Sequence, residues 1–408
     1  MTSNSDYLTL LLDRLRTFRE ERNMTPEDVE RSLILGRGWV KAIETGKVQP
    51  TLDAIASMLS VYGKTLSDLA SGMTGSVPHI SRPISAEAVE DGLEIKFDYA
   101  KHDASYRLGG ASLDQFADVM LTLTEGLARL TVREIDEDEP LLEALEDEEG
   151  NLGGEIEKAI KTGSVANTFL RAVELWPHAN PSDLWWFIVY RAYCDRYSHP
   201  SKYSRLDMAQ SWRRTGGWAL ETILEKHYGP FLAEQGVNLV IANSARKARL
   251  LAGVDVGHRL EADKVDVFLT VGEGENEKMI GVVHVKASFA ERRTDDVPMS
   301  EALVAAGYIS PLWTMDCKSM PSAHPVNRGE LGVVFDGRGV DGRSAKRKDI
   351  EDDGFFSACF SYNRNTRPTP ASFRSRARVH VCDFTDPNDS FSAFILAERK
   401  RFKEMFGI

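Results

Sequence analysis

Apolar residues recur at helical spacing from Tyr7 to Glu21, at Leu8, Leu11, Leu12, Leu15 and Phe18. Thr25-Pro-Glu-Asp then supplies an N-cap, a proline for the first helical position and first-turn acids. Val29 and Leu33 continue that helix, Gly36-Arg37-Gly38 is a turn, and Trp39–Thr45 is a short third helix stopped by Gly46. Two more helices open at Pro50-Thr-Leu-Asp and Thr65-Leu-Ser-Asp. Ser71–Ser85 carries linker residues, and the pattern then changes period. Gly92–Tyr99 and Ala104–Leu108 predict a hairpin, Ser112–Leu130 an amphipathic helix, and Glu134–Asn151 an acidic helix and loop. From Glu155 the chain is strongly helical, with Trp185, Trp186, Ile188, Val189 and Tyr190 as core. Strands are predicted at Val237–Ala242, Asp266–Val271, Met279–Ala287, Leu331–Phe335 and Arg378–Asp383, with a helix through Glu301–Ala306.

These elements define an α+β or α/β chain: an N-terminal all-α domain over 1–75, a linker with hairpin and helix over 76–150, and a mixed β-sheet core flanked by helices over 151–408. No apolar run reaches transmembrane length, so no membrane partner is expected. The N-terminus has no signal-peptide pattern, and the four cysteines have no CxxC spacing. Both predict a cytoplasmic protein without a zinc site. The net charge of −12 excludes a simple basic DNA-coating protein but leaves local phosphate binding open, since Lys and Arg gather in the last third.

The chemistry concentrates between Lys264 and Glu301. Asp266 lies on one strand of a predicted hairpin and Lys286 on the other, with His284 two residues before it. Closure through Gly272–Glu277 brings Asp266 and Lys286 together. A carboxylate holding Mg²⁺ against a phosphate, beside an ammonium that steadies the attacking water, is what a metal-dependent phosphodiesterase requires. A structural salt bridge across the hairpin is the plain alternative. Glu221, in Gly216-Gly-Trp-Ala-Leu-Glu221, is the weakest candidate of the set. Arg364, Arg367, Arg374, Arg376 and Arg378 surround Pro368 and Pro370, and such a loop can track phosphates.

Two resemblances sharpen this reading. Trp39-Val-Lys-Ala-Ile-Glu-Thr-Gly-Lys-Val-Gln-Pro-Thr-Leu-Asp resembles the Cro/C1-type repressor helix-turn-helix over about the first seventy residues. The resemblance implies groove contacts from Arg37, Trp39 and Lys41, although Glu27, Asp28 and Glu30 stand where such helices usually carry Gln or basic residues. The alternative is a retained fold used for dimerisation or packing.

The stretch from Ser211 to Glu301 resembles the PD-(D/E)XK nucleases, with Val265-Asp266 lacking the Pro and His284-Val-Lys286 carrying His where Glu or Asp is usual. The resemblance is to the type II restriction endonucleases grouped with the EcoRII catalytic domain, NgoMIV and BsaWI. That group moves one metal carboxylate to the following helix, a role the resemblance gives to Glu301, with Asp266 as the other metal ligand. It also implies guanine and cytosine reading by an element after the lysine. Here that element is Ala290-Glu291-Arg292-Arg293, with Ala290 replacing the first Arg, and it suggests a CCGG-type target.

The implied protein is a Mg²⁺-dependent endonuclease acting on double-stranded DNA as a homodimer. The competing readings are a helix-turn-helix regulator with a ligand-sensing C-terminal domain, and a defence nuclease without sequence preference.

Overall fold

The computed structural model describes residues 4–48, 50–70, 84–99, 102–132, 154–195, 208–252, 254, 264–288, 293–318, 325–334 and 341–407. The chain divides into two compact units. One comprises Met1–Arg82, Leu127–Asn151 and Asp195–Asp207, and the other Pro83–Gly126, Leu152–Cys194 and Met208–Ile408.

The first unit contains α1 (Asn4–Glu21), α2 (Pro26–Leu33), α3 (Trp39–Glu44), α4 (Leu52–Tyr62) and α5 (Leu66–Ala70). Their apolar stripes meet in a core of Leu12, Leu15, Phe18, Val29, Val40, Ile43, Met58, Leu59, Tyr62 and Leu69. Thr25 and Asp28 form the expected capping box on α2. Glu30 is buried and accepts from the backbone N–H groups of Gly38 and Val40 at 3.0 and 2.9 Å, so it caps α3. Asp28 and Glu30, two of the three acids on α2 set against groove reading, thus serve as caps within this unit. A buried Arg19–Glu44 pair (2.7 and 2.8 Å) ties α1 to α3.

In the second unit, β1 (Ile84–Val89), β2 (Gly92–Tyr99) and β3 (His102–Gly109) form an antiparallel three-stranded sheet. It is followed by α6 (Leu113–Val132), of which the part from Leu127 onward falls in the first unit. The expected hairpin is β2–β3 of this sheet and the expected helix is α6, and both pack on the larger core: Phe97 stacks on Phe187 at 5.2 Å, and Trp176 Nε1 donates to Gln115 at 3.1 Å. The acidic segment Glu134–Asn151 lies outside the described residues.

Helices α7 (Gly154–Leu175), α8 (Pro181–Asp183) and α9 (Tyr190–Tyr193) follow, the last two joined by a π-helical turn over Leu184–Val189. Trp185, Ile188 and Val189 are core, as expected. Next come α10 (Met208–Glu234), β4 (Asn238–Val240), α11 (Ser244–Leu251), β5 (Val267–Val271) and β6 (Lys278–Lys286). The unit is completed by α12 (Arg293–Ala305), β7 (Leu312–Thr314), α13 (Ala345–Glu351), β8 (Cys359–Ser361), β9 (Val379–Val381) and α14 (Ser390–Phe406).

The main sheet has the order β4-β5-β6-β7-β8-β9. Its first two pairings are antiparallel and its last three parallel, with Lys286, Thr314, Ser361 and Val381 in register. Strand ends therefore converge on one edge: the start of β5 lies beside the end of β6, and the carboxyl ends of β6 to β9 follow in a row. Gly281 permits this on β6, because a Cβ there would lie 2.1 Å from the Ile309 carbonyl oxygen. Of the strand expected at Leu331–Phe335, the described residues Leu331–Val334 form no strand. Its described part makes one bridge, Gly332 with Arg343, and Gly332 has a positive φ of 72°.

Candidate active site

The antiparallel β5–β6 pairing sets Asp266, immediately before β5, against the end of β6. Asp266 Oδ2 accepts from the Val285 backbone N–H at 2.9 Å and from Lys286 Nζ at 2.7 Å. Both side chains are about a tenth exposed. Hairpin closure thus produces the expected pair, and a simple salt bridge would look the same so far.

Two further acids distinguish the site from a simple salt bridge. Asp296, on the first turns of α12, is buried and places Oδ1 3.5 Å from Lys286 Nζ. Burial raises its carboxyl pKa, but His284 and Lys286 outweigh burial and hold it below its ordinary value. Glu221, on α10, has its pKa pushed up to about 8, first by burial and then by the negative charge of Asp266, against Lys286, Lys247 and Lys158. Lys247 itself donates to the Val265 carbonyl at 2.7 Å. Asp266 and Asp296 thus flank the nearly buried Lys286, and Glu221 feels the charges of both Asp266 and Lys286.

Glu301 is exposed on α12. It lies five residues after Asp296, about 140° further around the helix, so α12 turns Asp296 and not Glu301 toward Lys286. The helix expected through Glu301–Ala306 starts earlier, at Arg293, and contains Pro298. A useful signal was present in the Asp295-Asp296 pair ten residues after the lysine.

His284 is fully buried, with Nε2 3.0 Å from Ser310 Oγ. It packs beside the sheet against Phe356, with ring centroids 5.3 Å apart.

Among the described residues no three His, Cys, Asp or Glu side chains stand at metal-ligand spacing. The donor set nevertheless fits a hard divalent cation. It is all carboxylate oxygen, and Asp296 Oδ2 is buried without a hydrogen-bond partner among the described residues.

The DNA-contact candidates separate into groups. Glu291 and Arg292 lie outside the described residues, and Arg293 is described only as the first residue of α12. Arg364 departs from its expected role, because its guanidinium donates to the carbonyls of Pro177 and His178 and pairs with Asp383. Arg376 donates to the Asp353 carbonyl at 3.2 Å, and Arg378 to those of Thr369 and Pro370. Arg367 and Arg374 are exposed. In the first unit Arg37 and Lys41 are exposed and Trp39 packs against the core.

Residues 10–71 match the helix-turn-helix domain family. Sixty-three residues are 32% identical to the HTH-type transcriptional regulator DdrOP3 of Deinococcus deserti, covering 15% of this chain and 49% of that protein. The chain is 37% identical over 243 residues to the type II restriction enzyme AgeI of Thalassovita gelatinovora, covering 58% of this chain and 83% of AgeI. The crystal structure of a specific AgeI–DNA complex aligns with a TM-score of 0.59 at 31% identity, covering 75% of this chain and 99% of that one. A sheet whose edge gathers acids around a lysine, with these relatives, defines a metal-dependent nuclease class. The chain belongs to the type II restriction endonucleases and is a site-specific deoxyribonuclease carrying an N-terminal helix-turn-helix domain. Membership implies a divalent metal cofactor.

Proposed function

We propose that the chain hydrolyses phosphodiester bonds of double-stranded DNA at the edge of the sheet where Asp266, Lys286, Asp296 and Glu221 meet. The carrying observation is the convergence of Asp266 and Asp296 on Lys286, at 2.7 and 3.5 Å. Asp266 and Asp296 would hold Mg²⁺, with Glu221 beside them. When bound, the ion supplies Lewis acidity toward the phosphate and its attacking water.

Lys286 donates toward the attacking water and the charge that develops on the phosphoryl group. Asp266, fixed by the Val285 N–H, keeps the Lys286 ammonium at the edge. Glu221 adds a carboxyl with a pKa near 8, which can hold a proton near neutrality.

Glu291, Arg292 and Arg293 would read base edges, and a CCGG-type target remains the proposal for their specificity. Arg367 and Arg374 would contact phosphates, and Arg37 and Lys41 would extend the contact from the helix-turn-helix unit. Cutting two strands calls for two such sites, so the assembly proposed is a homodimer. A cytoplasmic setting fits four cysteines without a disulfide, and no described helix is long and apolar enough to cross a membrane.

The test compares Asp296→Asn with Glu301→Gln. Asp296→Asn should lower cleavage by about 100-fold or more while Glu301→Gln stays near wild type. Loss of activity only in Glu301→Gln would overturn this assignment.

A further inference from the structure

The site contains a closed loop of side-chain contacts that the reaction described so far does not use. His284 Nε2 lies 3.0 Å from Ser310 Oγ, and Ser310 Oγ lies 2.7 Å from Ser300 Oγ. On the other side of the ring, His284 Nδ1 is 3.9 Å from Asp296 Oδ1. Ser300 and Asp296 both belong to α12 and are four residues apart, so they stack one turn above the other on one face. The loop leaves α12 at Ser300, passes through Ser310 and the β6 residue His284, and returns to α12 at Asp296. All four residues are buried.

The helix needs such a clasp. Pro298 lies between the two α12 residues, has no N–H to give the preceding turn, and crowds that turn's carbonyl. The turn that carries Asp296 is thereby joined less firmly to the rest of α12. Ser300 Oγ has two acceptors on Ser310, the carbonyl at 3.3 Å and Oγ at 2.7 Å, and one chain of donors serves the site. If the Ser300 hydroxyl donates to Ser310, and Ser310 donates to His284 Nε2, the imidazole carries its proton on Nδ1. That nitrogen lies 3.9 Å from Asp296 Oδ1. Neither His284 Nδ1 nor Asp296 Oδ2 has a hydrogen-bond partner among the described residues, and a buried donor beside a buried carboxylate is strongly drawn to it.

We propose that His284, with its tautomer set by Ser310 and Ser300, is a positioning residue that orients the Asp296 carboxylate toward Lys286 and a bound divalent cation. The histidine takes a strand position where the related nucleases usually carry an acid. Here it acts through an acid that has moved to the helix. This inference rests on the proposed role of Asp296.

The test uses two substitutions that split the ring's functions. In His284→Asn the amide nitrogen can stand near the position of Nδ1, keeping a donor toward Asp296 and giving up Ser310. In His284→Gln the amide reaches the position of Nε2, keeping Ser310 and giving up Asp296. The full-length proteins are compared on unmethylated phage DNA for kcat and KM, with DNA affinity measured in Ca²⁺, Mn²⁺ binding by calorimetry, and thermal melting.

The expected result is a kcat for His284→Gln about 10- to 100-fold below wild type with weakened Mn²⁺ binding. His284→Asn should recover a large part of both, and KM and DNA affinity should stay within about twofold in either variant. A residue that only fills the core would give the opposite order, because Gln replaces the volume of His better than Asn. That order, or equal kcat in the two variants, overturns the proposal. Ser310→Ala should fall between wild type and His284→Gln, and it guards against misfolding of either histidine variant. Asp296→Asn separates the two levels of the argument. An active Asp296→Asn sinks the underlying site assignment. An inactive Asp296→Asn beside a fully active His284→Gln sinks the positioning role alone.

Discussion

Glu221 is the site acid whose carboxyl pKa is raised, and its effect on stability has a definite sign. Its carboxyl titrates near 8 in the fold against an ordinary value of 4.5. Between those values the native state binds more protons than the unfolded chain, so stability falls as pH rises through that window. Glu221→Gln should remove this slope: in chelator, its melting temperature should exceed wild type above pH 8 and approach it at pH 5, while cleavage is lost. Equal slopes in both proteins would show that Glu221 is not the strained acid. The sequence exposed Asp266 and Lys286 because their strands alternate cleanly and the hairpin order is local. Asp296 was harder to read because its role depends on how α12 rotates, which Pro298 obscured.

At the scale of elements, arginines that look alike in sequence do different things. Arg364, just after β8, donates to the exposed Pro177 and His178 carbonyls, so Arg364→Ala should lower stability by no more than about 1 kcal/mol, since water can replace those bonds. Arg367→Ala and Arg374→Ala should leave thermal melting unchanged and reduce the salt dependence of DNA binding by about one unit of slope each. Parallel denaturation and salt titrations distinguish the two groups. A composition argument saw only the density of arginine. It could not show which guanidinium groups were already held by carbonyls. In the helical unit, Ile34 closes α2 with φ 54° and is 88% exposed. A β-branched residue there costs about 1–2 kcal/mol, so Ile34→Gly should raise the melting temperature of the protein. The short strands β7 and β8, three residues each and wholly buried, offered no alternation to read. The capping box of α2 and the helical stripes of the first unit were legible because those signals are local.

At the scale of the whole molecule, a helix-turn-helix unit and a nuclease unit lie on one chain with an overall charge of −12. Their sequence signals differ in kind: local periodicity for the first, and a long-range meeting of β5, β6, α10 and α12 for the second. The proposed homodimer predicts a particle of twice the 45.5 kDa chain mass in sedimentation. A strictly monomeric species at the concentrations that give double-strand cuts would contradict it. The most direct test of the central claim is digestion of unmethylated phage DNA by the purified protein with Mg²⁺, beside Lys286→Ala and a chelator control. The account predicts discrete fragments from wild type with Mg²⁺ and uncut DNA in the other two lanes. Equal fragmentation by Lys286→Ala, or a smear without discrete bands, would contradict it.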